Sequence, residues 1–274
     1  MNVKEFTFEY FIEGVKAIER GEDPYRVFEK PTIRSPFSVY FINTRNVFPD
    51  NYPAKFDEEF ARFIIDTWTR PNEVVLDPMA GSGTIPLAAL DLDRQAYYQD
   101  INSDAHRLFI EKAAAYSAGF KFTHSVGDST KEICCMDNSI DLILTSPPFG
   151  LSIDATHDKY SDNPDDLGNA GNYETWRSKM KLILNECYRV LKPNHLLMIE
   201  TRARSKNGHT YPLNMWVQED ARDIGFVFFS EMIEIVDYYR MVTYGTGHLI
   251  KPIPKHGYLT MMLKPADSVN QKLI

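Results

Sequence analysis

The chain has 274 residues, of which 43% are hydrophobic and 25% are charged. This length is enough to bury a full hydrophobic core, and the ordinary composition excludes a disordered, collagen-like or disulfide-rich chain. No stretch approaches the roughly 18 consecutive apolar residues that suggest a membrane span, and the N-terminus lacks the pattern of a signal peptide. Three cysteines, two of them adjacent at Cys134 and Cys135, fit neither a disulfide framework nor a metal spacing. The sequence therefore predicts a cytoplasmic protein with reduced thiols and no metal ion.

The net charge of −8 argues at first against a nucleic-acid partner, whose phosphates call for a basic surface. The charge is unevenly distributed, however. Residues 176–264 contain 13 basic and 8 acidic side chains, which leaves 17 basic and 30 acidic ones in the rest of the chain. This asymmetry is compatible with a local surface for a polyanion, although charged residues often form only a solvated face.

The hydrophobic pattern predicts one helix at residues 9–20, followed by loops that contain proline and arginine. After these loops, helices and strands alternate regularly. Predicted helices cover 60–67, 84–92, 103–118 and 173–191, and predicted strands cover 73–76, 96–99, 122–126, 140–144, 196–200, 226–230 and 257–263. Apolar strands that alternate with helices indicate an α/β fold with a mostly parallel sheet and helices on both faces.

Acidic or hydroxyl side chains stand at the carboxyl ends of the first four predicted strands of this region. They are Asp77, Asp100, Asp128 and Ser146. Ligands of open α/β sheets bind outside the carboxyl ends of the strands. The architecture therefore predicts a site that is built from these four residues.

A glycine-rich turn follows Asp77 directly, with the sequence Pro-Met-Ala-Gly-Ser-Gly-Thr over residues 78–84. Its glycines allow a close approach of the backbone to a ligand, and the helix that follows offers free amides. The turn lacks the Lys-Ser/Thr ending of a phosphate loop and the third glycine of a dinucleotide fingerprint. Asp100, 23 residues after Asp77, is placed to accept hydrogen bonds from both hydroxyls of a ribose, and Asp128 from an adenine amino group.

A second motif, Ser146-Pro147-Pro148-Phe149, follows the predicted strand 140–144. The two prolines fix the backbone and donate no amide hydrogen, so the carbonyls of Ser146 and Pro147 project in a fixed direction. A hydroxyl, a carbonyl and an aromatic face together suit a flat ring with an exocyclic amine. Stacking on Phe149 would contribute about 1–3 kcal/mol, as base stacking does elsewhere.

With these two motifs the chain resembles the amino-methylating DNA methyltransferases that use S-adenosylmethionine. Residues 76–84 look like the cofactor motif of the family, and residues 146–149 look like its catalytic motif in the form typical of cytosine-N4 enzymes. Residues 52–56, Tyr-Pro-Ala-Lys-Phe, are similar to a short His-Pro-Ala-x-Phe segment that helps to hold the methionine end of the cofactor. The segments 186–193 and 256–259 match later parts of the family, so the resemblance spans about residues 51–264.

The resemblance implies a Rossmann-like methyltransferase fold with a mostly parallel, seven-stranded sheet. The catalytic domain would cover 51–264, with an N-terminal extension of helix and loops over 1–50 that contacts substrate or partner, and a tail over 265–274. Ser146, Pro147, Pro148 and Phe149 would be catalytic. The cofactor would contact Tyr52, Lys55, Phe56, Asp77, Pro78, Met79, Ala80, Gly81, Ser82, Gly83, Thr84, Asp100, Ile101, Asp128 and Ser129. Candidates for phosphate contacts are Arg202, Arg204 and Lys206, with a solvated loop as the alternative interpretation.

The implied reaction moves a methyl group from S-adenosylmethionine to the N4 amine of a flipped-out cytosine in double-stranded DNA. Three alternatives remain open: methylation of adenine N6, methylation of guanine N2 in RNA, and a non-catalytic partner that keeps the fold. Three features depart from the family pattern: Tyr52 replaces a histidine, Asp57 replaces a proline, and the cofactor motif precedes the catalytic motif. Because no separate target-recognition domain is evident, recognition would come from 1–50, 154–172 or 202–211, from a second copy of the chain, or from a cognate restriction or recognition subunit.

Overall fold

The computed structural model describes residues 39–42, 56–116, 122–148, 161–206, 209–236 and 256–266. The chain divides into two compact units, Met1–Tyr40 and Phe41–Ile274. Of the smaller unit only residues 39 and 40 are described, and the predicted helix at 9–20 lies outside the described residues. All the elements that carry the site belong to the larger unit.

The larger unit contains an open, mostly parallel sheet with the strand order β9-β10-β6-β5-β2-β3-β4. The last five strands in this order, from β6 to β4, pair in parallel, whereas β10 runs antiparallel to both β6 and β9. Residues 41 and 42 of β1 add an eighth strand at the β9 edge. The strands are β1 (Val39–Ile42), β2 (Val74–Asp77), β3 (Gln95–Asp100), β4 (Phe122–Val126), β5 (Ile140–Thr145), β6 (Leu191–Thr201), β9 (Val227–Val236) and β10 (His256–Leu263), and β7 (Arg204–Lys206) pairs with β8 (His209–Tyr211) in a separate hairpin.

Helices cover the sheet because the side chains of buried strands alternate between its two faces. Leu76, Ile143 and Leu197 point toward α4 and α5 and form one core cluster with them. On the other side, α2 packs on β2 and β3 and also against α1, and α3 packs on β3 and β4. The helices are α1 (Glu58–Trp68), α2 (Thr84–Asp91), α3 (Ser103–Ala113), α4 (Tyr173–Val190) and α5 (Leu213–Ile224).

The predicted Rossmann-like methyltransferase fold is confirmed, with its seven-stranded sheet in the open, mostly parallel arrangement. The apolar face predicted for α4 is buried at every position, from Tyr173 to Cys187. Helix α5 escaped the sequence prediction, although Pro212 and Gly225 bound it and Leu213, Val217 and Ala221 recur at helical spacing. Within 202–211, one of the candidate segments for target recognition, β7 and β8 pair as an antiparallel hairpin.

Among the described helices, none combines the length and the apolar content that crossing a bilayer requires.

Lys264 closes the sheet at its antiparallel end, and it is unusual because a lysine is rarely buried this deeply. The residue is 7% exposed and follows β10 directly. Its ammonium donates hydrogen bonds to Asn138 Oδ1 and to the carbonyls of Tyr188 and Leu191, at 2.6–2.8 Å. The charge also lies 4.7 Å from the centre of the Tyr188 ring. One cation therefore connects the end of α4, the turn before β5 and the last strand.

Lys264→Met is expected to lower the free energy of unfolding by about 2–4 kcal/mol, because two carbonyls and an amide lose a charged donor. Urea unfolding followed by circular dichroism measures the loss. Lys181→Met is the matched control, since this lysine is exposed and its ion pairs with Asp220 and Asp223 contribute little. Equal losses in both variants would contradict the role of Lys264.

Candidate active site

Asp77 lies at the carboxyl end of β2, and its side chain is only 3% exposed. Its Oδ1 accepts a hydrogen bond from the Thr145 hydroxyl at 2.7 Å and another from the Met79 amide at 3.1 Å. Burial raises the pKa of Asp77 to about 7; the charge of Asp100 acts in the same direction, and the two hydrogen bonds act against it. Because Thr145 ends β5, this carboxyl group joins the glycine-rich turn to the start of the Ser-Pro-Pro segment.

The glycine-rich turn is held against β3 by Asp100. Asp100 Oδ2 accepts a hydrogen bond from the Gly81 amide at 2.7 Å, and Oδ1 accepts one from the Asn102 amide at 2.8 Å. Tyr98 donates its hydroxyl to the Gly81 carbonyl at 2.8 Å. Burial raises the pKa of Asp100 to about 6, although its backbone donors oppose the shift. Asp100 therefore shapes the turn itself, a role that the sequence did not indicate.

Gly83 directly precedes α2 and has a backbone conformation that other residues rarely adopt. Its φ angle is +87°, and a Cβ atom at this position would collide with the Phe109 ring. The Phe109 ring stacks on Tyr98, with 4.3 Å between the ring centres. Both the conformation and the close approach therefore require glycine at this position.

Ser129 and Asp128 connect the exit of β4 to the rest of the site. Ser129 donates its hydroxyl to the Pro78 carbonyl at 2.6 Å and accepts a hydrogen bond from Gln99 Nε2 at 2.9 Å. Burial acts to raise the pKa of Asp128, but hydrogen bonds from Thr130 and the ion pair with Lys131 outweigh it, so the pKa is lowered. Ser129 thereby fastens the Pro78 turn to β3, and its expected contact with the cofactor stays a prediction.

The Ser-Pro-Pro segment begins at the end of β5. Ser146 donates its hydroxyl to Glu200 Oε2 at 2.6 Å, across to the end of the neighbouring strand β6. The Pro148 carbonyl accepts a hydrogen bond from Trp176 Nε1 at 2.7 Å, which fixes the segment against α4. Pro147 between them is buried. Phe149 lies outside the described residues, so its stacking role stays a prediction.

Arg202 occupies a different place from the one expected of a phosphate contact. Its guanidinium pairs with Glu200 Oε1 at 3.2 Å and with Glu234 Oε1 at 3.0 Å, and both carboxyl groups are buried. Arg204 and Lys206 lie on β7, where Arg204 pairs with Tyr211 across the hairpin. Two buried carboxyl groups therefore engage the charge of Arg202, whereas the roles of Arg204 and Lys206 stay predictions.

The predicted methionine-end segment is described only at its last residue. Tyr52 and Lys55 lie outside the described residues, whereas Phe56 is 9% exposed and stacks on Phe60 with 5.5 Å between ring centres. Asp57 accepts a hydrogen bond from the Phe60 amide at 2.7 Å and caps α1. A carboxylate at this position stabilises the helix N-terminus, which explains why aspartate suits a place where the family usually has proline.

The sequence missed three polar residues that shape the site: Thr145, Gln99 and Glu200. Each stands near the end of an apolar strand, where a buried polar side chain needs a hydrogen-bond partner. Gln99 is fully buried and donates from Nε2 to Ser129 and to the Glu132 carbonyl. A polar residue at the end of an apolar run is the pattern that indicated Asp77 and Asp100. The same pattern is present at Thr145, Gln99 and Glu200 and could have indicated them.

Part of the stretch 154–172, proposed for target recognition, lies beside the cofactor end of the sheet. Lys131 Nζ contacts Asp128 at 3.1 Å and Asp165 at 3.2 Å, and thereby joins the loop after β4 to this stretch. The charge of Asp166 reaches Asp100 and contributes to its raised pKa. Within the described ranges, no three His, Cys, Asp or Glu side chains come together to form a metal site.

Gly83→Ala is expected to lower the free energy of unfolding by about 1–3 kcal/mol, because a Cβ at positive φ collides with Phe109. Thermal or urea unfolding measures the effect. Gly171→Ala is the control, since a Cβ there meets no atom within 4 Å. A loss at Gly171 as large as that at Gly83 would contradict this account of the turn.

The raised pKa of Asp77 makes stability depend on pH. The folded protein holds this proton more tightly than the unfolded chain. Protonated Asp77 therefore stabilises the fold fully below about pH 4, and this stabilisation is lost as the pH rises through 7. In Asp77→Asn, which keeps the Oδ1 acceptor, the unfolding free energy should fall by about 2–4 kcal/mol less between pH 4 and pH 8 than in the wild type. Urea unfolding at several pH values without cofactor measures this slope. Parallel slopes for the variant and the wild type would disprove the assignment.

Solved structures of S-adenosylmethionine-dependent methyltransferases are similar to this chain at low identity. One from Methanosarcina mazei is 18% identical, with 74% of this chain and 98% of that chain covered and a TM-score of 0.49. TrmN from Thermus thermophilus is 17% identical, with 76% of this chain and 49% of that chain covered, also at 0.49. A methyltransferase from Aquifex aeolicus is 15% identical, with 76% and 90% covered and a TM-score of 0.47. No curated protein matches the chain.

The sequence profile of the N6/N4 methyltransferase family, described as DNA methylase, matches residues 13–111 and 140–241. The match covers more than half of the chain and includes the turn after β2, the Ser-Pro-Pro segment and the β7–β8 hairpin. Members of this family take their methyl group from S-adenosylmethionine. The chain therefore belongs to the N6/N4 DNA methylase family and is an S-adenosylmethionine-dependent enzyme that methylates an amino group in DNA.

Proposed function

We propose that the enzyme methylates the N4 amine of cytosine in double-stranded DNA, with the target base flipped out of the helix. The observation that carries this proposal is the hydrogen bond between Thr145 and Asp77, at 2.7 Å. It joins the cofactor turn to the residue that immediately precedes Ser146. Ser146 stands where adenine-N6 enzymes typically have aspartate or asparagine, and this serine favours cytosine as the target base.

The residues around the turn after β2 fit the proposed cofactor. The helix N-terminus after the turn would offer backbone amides to a ligand, and the two glycines at positive φ would allow a close approach. Asp77 and Asp100 are carboxyl groups whose pKa burial raises, and a cationic ligand such as a sulfonium or an ammonium would stabilise their ionised forms. Asp100 and Ile101 would bind the ribose, and Asp128 the adenine. When bound, S-adenosylmethionine supplies an electrophilic methyl group.

The remaining cofactor contacts stay proposals on the same basis. They fall on the strand end, the turn and the first turn of α2, together with the segment before α1. We assign them to Tyr52, Lys55, Phe56, Pro78, Met79, Ala80, Ser82, Thr84 and Ser129, in addition to the glycines and carboxyl groups already named. For Ser129 this would be an indirect contribution through the Pro78 carbonyl.

The Ser-Pro-Pro segment would hold the target amine. The Ser146 oxygen, which donates its hydrogen to Glu200, can accept a hydrogen bond from the amine, and a carbonyl of the segment can accept the other. Two such bonds draw the nitrogen toward tetrahedral geometry and make its lone pair more available. Stacking on Phe149 would offset part of the few kcal/mol that flipping the base costs.

Recognition of DNA would involve the β7–β8 hairpin, with Arg204 and Lys206 as the candidates for phosphate contacts. Arg202 precedes this hairpin, and its ion pairs with Glu200 and Glu234 would support the hairpin from inside the protein. Further contacts would come from a second copy of the chain or from a cognate restriction or recognition subunit.

The product identifies the reaction. Purified protein is incubated with tritiated S-adenosylmethionine and duplexes that contain either cytosine or adenine as candidate targets, and nucleosides are analysed by mass spectrometry. We expect N4-methylcytosine. N6-methyladenine would contradict the proposed role of Ser146, and label in RNA alone would contradict a DNA substrate. Cofactor binding without any transfer to nucleic acid would indicate a non-catalytic partner and overturn the proposal.

Ser146→Ala is expected to lower kcat by about 10²-fold, because the amine loses one acceptor that orients it. Cofactor affinity should remain unchanged, since the Ser146 hydroxyl contacts Glu200 rather than the glycine-rich turn. Single-turnover kinetics and calorimetry of cofactor binding measure the two quantities. Ser139→Ala, which removes an exposed hydroxyl bonded to the Met136 carbonyl just before β5, is the control. An unchanged kcat in the Ser146 variant would exclude the assigned role.

A further inference from the structure

Four side chains from three strands form one connected polar network behind the Ser-Pro-Pro segment. Ser146 follows β5, Glu200 and Arg202 lie at the end of β6, and Glu234 lies on β9. The connections run from the Ser146 hydroxyl to Glu200, from Glu200 to Arg202, and from Arg202 to Glu234, at 2.6, 3.2 and 3.0 Å. Glu200 is 4% exposed and Glu234 is 3% exposed. The fold therefore buries two carboxyl groups with one guanidinium between them.

Gly257 makes this arrangement possible. It lies opposite Glu234 on β9, and because Tyr258 is opposite Thr201, it also stands in line with Arg202 on β6. A Cβ at position 257 would lie 2.5 Å from Glu234 Oε2 and 3.2 Å from Arg202 Nε. The absence of a side chain on the intervening strand thus lets the ion pair between Arg202 and Glu234 cross over β10.

Glu234 and Glu200 differ in their surroundings. Burial raises the pKa of Glu234 to about 9, with a further contribution from Glu200, while Arg202 opposes the shift. Glu200 accepts the Ser146 hydroxyl through Oε2 and contacts Arg202 through Oε1. The other groups that face the network are Asp57, whose charge reaches Glu234, and Leu259 of β10, which pairs with Glu200 and is uncharged.

We propose that Glu200 is a positioning residue that orients the Ser146 hydroxyl and takes up, through it, the proton that the target amine loses. This rests on the proposed contact between Ser146 and the amine. When the amine nitrogen forms its bond to the methyl carbon, it becomes cationic and must release one proton. That proton passes to the Ser146 oxygen, the Ser146 hydrogen passes to Glu200 Oε2, and Glu200 becomes a neutral carboxylic acid that later returns its proton to water. Neither residue changes covalently over the cycle.

Glu200→Gln tests the proposal, with Glu234→Gln as the matched variant. Each leaves one carboxyl group to balance Arg202, so both should unfold at similar urea concentrations. The substrate is the nucleobase that the product analysis identifies. We expect kcat to fall by about 10²-fold in the Glu200 variant, with an unchanged KM for the cofactor. In the Glu234 variant kcat should fall by no more than about tenfold. A Glu200 variant within threefold of the wild-type kcat would overturn the proposal.

Two further readouts separate positioning from a merely structural role. Glu200→Asp keeps the charge beside Arg202 but withdraws the oxygens from Ser146, so it should remain folded and still lose turnover. The double variant of Ser146→Ala and Glu200→Gln should be no slower than the slower single variant, because the two residues act as one unit. Additive losses would refute the relay. Glu231→Gln on the same strand as Glu234 controls for the loss of an unrelated carboxyl group.

If the product is N6-methyladenine, the proposed function fails while the relay can still be tested on that base.

Discussion

The structure of the site depends on the burial of Asp77 where two neighbouring parallel strands end. A carboxyl group in that position must find hydrogen-bond donors, and it finds them in the Met79 amide of its own turn and in the Thr145 hydroxyl of the next strand. The first contact shapes the glycine-rich turn, and the second fixes the strand after which the Ser-Pro-Pro segment begins. One side chain thus positions both segments.

The same principle recurs along the carboxyl edge of the sheet. Asp100 accepts hydrogen bonds from the glycine-rich turn, Ser129 donates to the Pro78 carbonyl, and Glu200 accepts the Ser146 hydroxyl. These polar groups are removed from water, and a buried polar group without a hydrogen bond destabilises the folded state. Each of them therefore needs its partner. Rigid support of this kind keeps a reactive geometry fixed, because a displacement of one group breaks a buried hydrogen bond.

The number of basic residues in the C-terminal half suggests a surface for a polyanion, but many of these residues form ion pairs within the protein. Arg177 pairs with Glu219 and Asp220, Arg189 with Glu186 and Asp137, and Lys192 with Asp141, while Arg202 and Lys264 are engaged in the interior. Within the described parts of residues 176–264, these cations are thus engaged by carboxyl groups or carbonyls of the protein itself. Arg204 and Lys206 of the hairpin remain the candidates proposed for phosphate contacts.

The sequence by itself determined the order of helices and strands, the apolar face of α4 and the two motifs, because periodicity and proline or glycine boundaries are local properties. It also predicted that Asp77, Asp100, Asp128 and Ser146 lie along one edge of the sheet, since parallel strands bring their carboxyl ends together. Only the tertiary structure decided the partners: that Arg202 contacts Glu200 and Glu234, that Gly257 makes room for them, and that Ser129 supports a turn 51 residues away. These contacts join residues far apart in the chain, and neither spacing nor composition specifies which buried donor faces which acceptor.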